Sequence, residues 1–389
     1  MTLDNWQSEG QLNWTFQHMA EIFPTVPIRR APGHAPQLPR IAYEPDILPV
    51  TTSDGSVMSL HTVMASTDTD GWMVIHDHPS WGAQVMVERY PSGMDPSTVH
   101  LMMSVTKSVV GIVVGALAAQ GVIATEAPLT HYVPELQESG YAGATVRHLL
   151  DMRSGIRFSE EYLDPMAEVR VLEQAFGWAP RLNPDVPSTL RTFLLSLHSD
   201  RPHGGPFDYR SCESDVLGWV VEAATGRRFA DVASELVWSR IGAEFDANIG
   251  IDSEGSGMFD GGMSATLGDL GRFGLMILRN GTSLTGEQVV PSWWIEDSFL
   301  GDLDSVRAFA DSPGDNRMPG GFYRNQFWIP DARRPVLLCL GIHGQMIYVN
   351  RQARVVAAKL SSWPTPQHAW KLFSTVAAFD AISADLAGL

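Results

Sequence analysis

Between Val109 and Ala119 the chain reads Val, Val, Gly, Ile, Val, Val, Gly, Ala, Leu, Ala, Ala, apolar on every face of any helix it forms. Such a run predicts a helix sunk in a core, beginning at Ser104 and ending at Gly121. Other stretches are apolar on one face only. Val216, Leu217, Val220, Val221 and Ala224 predict a helix over 215–225 stopped by Gly226. Leu267, Leu270, Phe273, Ile277 and Leu278 predict another, stopped at Gly281 and preceded by Thr266 and Asp269 in capping-box spacing. A short helix capped by Thr145 stops near Ser154, and a last one covers roughly His368 to Leu386. Period-two stretches occur near the ends. Trp72 to His76 and Gln84 to Tyr90 flank a turn and read as a hairpin, and Val336 to Leu340, Met346 to Val349 and Arg354 to Lys359 are three β-rich runs. Prolines 24, 27, 32, 36 and 39 break the first 45 residues into a wrapping segment. Strands at both ends around a helical middle predict an α/β architecture, its sheet built from the two chain ends and a helical part inserted between them.

At 389 residues the chain can bury a large core, in two domains or one with a large insertion. Its net charge of −17 repels nucleic acid and anionic membranes, so neither is an expected partner. The amino terminus shows no secretory pattern and the longest apolar run is too short to span a bilayer, which makes the expectation a cytoplasmic protein. Cys212 and Cys339 match no metal or redox spacing, and H-E-x-x-H is absent, so no metal or other cofactor is expected.

The chemistry begins at Ser104-Val105-Thr106-Lys107. Residues three apart share a helix face, which sets the Ser104 hydroxyl beside the Lys107 amine. A serine attacks a carbonyl only when a neighbour takes its proton. An ordinary lysine, of pKa about 10.4, is neutral in roughly one molecule in a few thousand at pH 7. The apolar surroundings are therefore expected to push the Lys107 pKa down by desolvation. The Ser104 backbone N–H, at a helix start, is free to hold a developing oxyanion. The plain alternative is a helix start with Ser104 as its N-cap. Only three lysines occur, Lys107, Lys359 and Lys371, and one of them has this spacing, which favours catalysis.

The order S-x-x-K, a tyrosine about a hundred residues on and a Gly-flanked late strand resembles the penicillin-recognising serine hydrolases of the class C beta-lactamase type. Supporting stretches are His148 to Gly155, Gly261 to Ala265 and Gly341-Ile342-His343-Gly344-Gln345. Within that superfamily the chain is most similar to the 6-aminohexanoate-dimer hydrolases, or nylon-oligomer hydrolases, through Leu101 to Ser108, Tyr162-Leu163-Asp164-Pro165, Gly341 to Gln345 and Lys359 to Pro364. The resemblance implies a beta-lactamase-like α/β domain of residues 1–147 and 262–389, with an antiparallel sheet flanked by helices, and a mainly helical domain of residues 148–261. It implies Ser104 as the acylated nucleophile, Lys107 as its base and Tyr209 as a proton relay to the leaving nitrogen. The N–H groups of Ser104 and Ile342 would form the oxyanion hole, Tyr162 would close over the substrate amide, and Trp328 would line the cleft. Glu173, Asp260, His343 and Gln367 fall at substrate-binding positions. Two departures stand out: Ser211 replaces an asparagine common in beta-lactamases, and no lysine opens the late strand motif, so antibiotic hydrolysis is not implied.

The resulting expectation is a serine hydrolase of short linear amides, of the 6-aminohexanoate-dimer type, and of small carboxylic esters, working through an acyl-enzyme. A carboxylesterase with negligible amidase activity is the first alternative and a non-catalytic binding protein of the same fold the second. The expected partner is a small-molecule amide or ester, and relatives imply a homodimer.

Overall fold

The computed structural model describes residues 1–314 and 316–388. Its strands are β1 (Thr25–Ile28), β2 (Pro49–Thr51), β3 (Val57–Ser59), β4 (Thr69–His78), β5 (Gly82–Arg89), β6 (Val99–Leu101), β7 (Ala247–Gly250), β8 (Met263–Thr266), β9 (Phe322–Arg324), β10 (Phe327–Ile329), β11 (Val336–Gly341), β12 (Gln345–Asn350) and β13 (Val355–Ser361). Strands from both chain ends form one seven-stranded sheet in the order β5-β4-β13-β12-β11-β10-β9, antiparallel at every pairing. β4 and β13 are buried along nearly their whole length, because helices cover both faces and no face is left for polar alternation. The Leu267–Leu278 helix packs on β4, β12 and β13, and the Ala369–Leu386 helix on β12 and β13.

A second sheet, β1-β7-β8-β6, escapes the sequence reading. Its strands are three or four residues long, too short to show a period of two. It nevertheless positions the chemistry, since β6 leads into Ser104 and pairs with β8, which follows Asp260.

The Val105–Ala119 helix is buried on all sides, as its composition requires. It lies between the β10–β12 part of the sheet and the Ser211–Thr225 helix. That second helix starts four residues earlier than its apolar pattern indicates, and its polar first turn, Ser211, Cys212, Glu213, Ser214, is buried too. The β9–β10 hairpin turns on Asn325 and Gln326, both at positive φ. Gln326 accepts from Ser108 Oγ at 2.9 Å on its carbonyl and from Ser214 Oγ at 2.6 Å on its side chain, tying both helices to the sheet. Among the described residues no helix is long and apolar enough to cross a membrane.

Candidate active site

Strand β6 ends in a sharp reversal. Met102 N–H still donates to the Met263 carbonyl at 2.9 Å, but Met103 takes φ of 46°, and the helix begins at Val105. A methionine in the left-handed region costs on the order of 1 kcal/mol. The strained residue directly precedes Ser104. Ser104 stands at the N-cap position, as the plain alternative has it, but its hydroxyl makes no capping bond; it accepts instead from Lys107 Nζ at 3.0 Å.

Lys107 is 1% exposed. Its ammonium also donates to the Asp260 carbonyl at 2.6 Å and to Ser211 Oγ at 3.2 Å. Thr106 Oγ1 accepts from Met263 N–H at 3.2 Å and Asp215 Oδ1 from Asp260 N–H at 3.0 Å, and these two bonds hold residues 260–263 against the nucleophile helix. The expected lowering of the Lys107 pKa does not occur. Burial acts to lower it, but the facing Tyr209, Asp260, Glu160 and Asp215 outweigh burial and push it up to about 12.

Tyr209 immediately precedes the Arg210 that caps the Ser211–Thr225 helix, and its phenol is hydrogen-bonded to both Ser104 and Lys107. Its ring centroid lies 5.2 Å from Lys107 Nζ and stacks on Trp328 at 5.3 Å. Burial holds the phenol above its ordinary pKa although Lys107 pulls it down, so the resting group is protonated. Tyr162 is hydrogen-bonded to Glu160 and close enough to Tyr209 and Asp260 to feel their charges. Ser104, Lys107, Tyr209, Tyr162, Asp260 and Trp328 therefore form one connected cluster. Asp260 Oδ1 is buried there without a hydrogen-bond partner among the described residues.

The other positions fall at its margin. Gly341 brings the Ile342 turn against the nucleophile: a Cβ on it would lie 2.7 Å from the Met102 carbonyl and 3.1 Å from Met103 Cβ. Among the described residues neither the Ser104 nor the Ile342 N–H has a partner in a turn or loop. Glu173 is already engaged by Arg170 at 2.8 Å and by Gln7 Nε2 at 3.3 Å, and burial pushes its carboxyl up to about 7 against the pull of Arg170. His343 faces away from the reacting groups; its Nδ1 meets the Trp363 carbonyl at 2.6 Å, and burial pushes the ring down to about 4. Gln367 is exposed.

A family model described as beta-lactamase matches residues 70–371. The chain belongs to the beta-lactamase family. It is a serine hydrolase of that family. Over 365 residues, 94% of this chain and 89% of the relative, it is 36% identical to a 6-aminohexanoate-dimer hydrolase of Paenarthrobacter ureafaciens. A Bacillus anthracis structure assigned by name to the 6-aminohexanoate-dimer hydrolases superposes with a TM-score of 0.89 at 28% identity, covering 100% of this chain and 97% of the other. Esterase EstB of Burkholderia gladioli is 31% identical over 160 residues, 38% of each chain.

Three features of this site in the beta-lactamase-family chain escape the sequence reading. Glu160 and Asp215 add to the pull on the Lys107 proton, although burial pushes both carboxyls above their ordinary range, yet Glu160 sits in an aromatic loop and Asp215 at what the apolar pattern makes a helix start. The spacing of Glu160 two residues before Tyr162 is the one available signal for the first. Met103's backbone strain has no signal in residue type.

Proposed function

We propose that the chain hydrolyses short linear amides of the 6-aminohexanoate-dimer type and small carboxylic esters, through an acyl group carried on Ser104. The observation that carries this reading is the Ser104–Lys107–Tyr209 triangle. Lys107 donates to Ser104 Oγ, so the serine's own proton is left to point at Tyr209. Lys107 is then the charge that stabilises a Tyr209 phenolate, and the phenolate, a minority form at neutral pH, is the base.

Ser104 Oγ attacks the substrate carbonyl as its proton passes to Tyr209. The negative charge that develops on the carbonyl oxygen is held by the Ser104 and Ile342 N–H groups, each such donor typically worth about a hundredfold or more in rate. Tyr209 returns the proton to the leaving nitrogen or alkoxide, and the bond to the carbonyl carbon breaks. Water then attacks the Ser104 ester, giving its proton to Tyr209, which hands it to Ser104 Oγ as the acid leaves. Tyr162, whose proton goes to Glu160, accepts from the substrate amide N–H on its phenol oxygen, and the free Asp260 oxygen accepts from another substrate N–H. Esters are the faster substrates because an alkoxide needs less help to leave.

A carboxylesterase with negligible amidase activity is favoured over this by one observation, the occupation of Glu173 by Arg170 and Gln7, which leaves that acid less free for a substrate ammonium. Release of 6-aminohexanoate from its linear dimer, measured beside release of nitrophenol from nitrophenyl acetate, separates the two readings. Intact mass after a fluorophosphonate tests the nucleophile itself: one adduct is expected on the wild type and none on Ser104→Ala. An unmodified wild type, or an adduct that survives Ser104→Ala, would point instead to a binding protein of this fold.

A further inference from the structure

The proposed oxyanion donor, Ile342, sits in a turn that does not hold itself. His343 has φ of 60° and Gly344 φ of 94°, two consecutive left-handed residues, the first of them branched by an imidazole. Such a conformation persists only where its surroundings over-determine it.

Here the surroundings are the end of β13 and the residues after it. His343 N–H donates to the Pro366 carbonyl at 2.8 Å, its Nδ1 to the Trp363 carbonyl, and Trp363 N–H returns a bond to the His343 carbonyl at 3.1 Å. Gln345 Nε2 donates to the Ser361 carbonyl at 2.7 Å and Gln345 Oε1 accepts from Ser361 N–H at 3.1 Å. The Trp363 indole lies where a Cβ on Gly344 would come within 2.3 Å, so ring and turn fit only as they stand. At the base is Lys359, 0% exposed. Its Nζ donates to Ser361 Oγ and, at 3.0 Å, to the Thr67 carbonyl, which also accepts from the Trp363 indole at 2.8 Å. One buried amine thus ties Ser361, Trp363 and the chain at Thr67 together beneath the turn.

We infer that Lys359 is a positioning residue for hydrolysis: through Ser361, Trp363 and Gln345 it holds the Ile342–His343–Gly344 turn in the shape that presents the Ile342 N–H to the oxyanion. This rests on Ile342 being that donor. Two acceptors match the two N–H groups of a neutral amine, and burial pushes the Lys359 pKa down to about 7. The charged groups bearing on it are Asp70, Asp68 and Lys371, and Asp70 is itself paired with His100 at 3.2 Å.

The test compares Lys359→Met, Ser361→Ala and Ile342→Pro, with nitrophenyl acetate as substrate and active sites counted by the initial nitrophenol burst. Proline deletes the donor and suits the extended φ of −130° at Gly341 before it. Lys359→Met is expected to lower kcat per active site about tenfold with KM within twofold, to flatten any inflection of kcat near pH 7, and to slow fluorophosphonate capture in proportion. Ser361→Ala, the milder change, is expected to act in the same direction and serves where Lys359→Met does not fold. Ile342→Pro is expected to cost about a hundredfold. An Ile342→Pro loss with Lys359→Met and Ser361→Ala unchanged per active site would overturn the positioning role alone. Full kcat in Ile342→Pro would overturn the donor reading beneath it.

Discussion

Two lysines lie fully inside this protein, and burial has opposite outcomes for them. Lys107, at the start of the nucleophile helix, faces Tyr209, Asp260, Glu160 and Asp215 and is pushed up to about 12. Lys359, in the middle of the sheet, has Asp70 and Asp68 at greater remove and is pushed down to about 7. The polar surroundings agree with each direction: Ser104, Ser211, the Asp260 carbonyl and the Tyr209 phenol surround the first, only the Thr67 carbonyl and Ser361 the second. Desolvation sets a cost for the charge, and the neighbours decide whether it is met. Burial in an apolar helix therefore does not by itself neutralise a lysine. In the proposed mechanism Lys107 is the fixed positive charge that lets Tyr209 act as the base.

The contrast breaks most visibly at Lys107. Lys107→Met removes the charge that stabilises the Tyr209 phenolate and is expected to lower kcat/KM for nitrophenyl acetate by on the order of a thousandfold. A loss below tenfold would mean that the charge is not needed. Next in size is Tyr209→Phe, expected to cost about 10²- to 10⁴-fold and more on the linear amide than on the ester, because the amide nitrogen needs its proton. Equal losses on both substrates would remove Tyr209 from leaving-group protonation. In the wild type kcat/KM should rise with pH from neutrality, since the phenolate fraction grows while Lys107 stays charged, and Tyr209→Phe should lose that rise. A rise that survives in Tyr209→Phe would favour a neutral lysine base.

The smallest effect is on stability, where the two lysines carry opposite signs. The folded pKa of Lys359 lies below its unfolded value, so between about 7 and 10.5 the unfolded chain binds the extra proton and stability rises with pH. The folded pKa of Lys107 lies above its unfolded value, so its contribution is complete below 10.5 and is lost as pH rises through about 12. Urea titrations across the first window should show a steeper rise for wild type than for Lys359→Met, and parallel curves would contradict the lowered pKa.

What the sequence reveals about this molecule follows from how strongly each feature is written into residue type. The all-apolar run at Val109–Ala119, the Thr145 and Thr266 caps and five strands of the seven-stranded sheet are patterns of composition and period, and each forms where expected; β9 and β10, three residues each, are too short to show a period and were not anticipated. Thr145 even shares its cap with His148 in a reciprocal pair. Ser104, Lys107 and Tyr209 were legible as a spacing and an order along the chain, and the fold brings them into contact. The sign of the Lys107 shift was not legible, because it depends on Tyr209 and Asp215, which the Ser211–Thr225 helix brings against the Val105–Ala119 helix, and on Asp260, which precedes the strand that pairs with β6. Lys359 looked like an ordinary strand residue for the same reason. Its role comes from Thr67, Ser361 and Trp363, which meet only across the sheet.

With three lysines in the chain, labelling lysine with ¹³C at the ε carbon gives three resonances that Lys359→Met and Lys371→Arg assign outright. Titrating them reads the charge of Lys107 without kinetics. The account predicts that the Lys107 signal stays at its ammonium position while the Lys359 signal moves near pH 7. A Lys107 signal that shifts to the neutral amine near neutrality would contradict it, and would return the role of base from Tyr209 to the lysine.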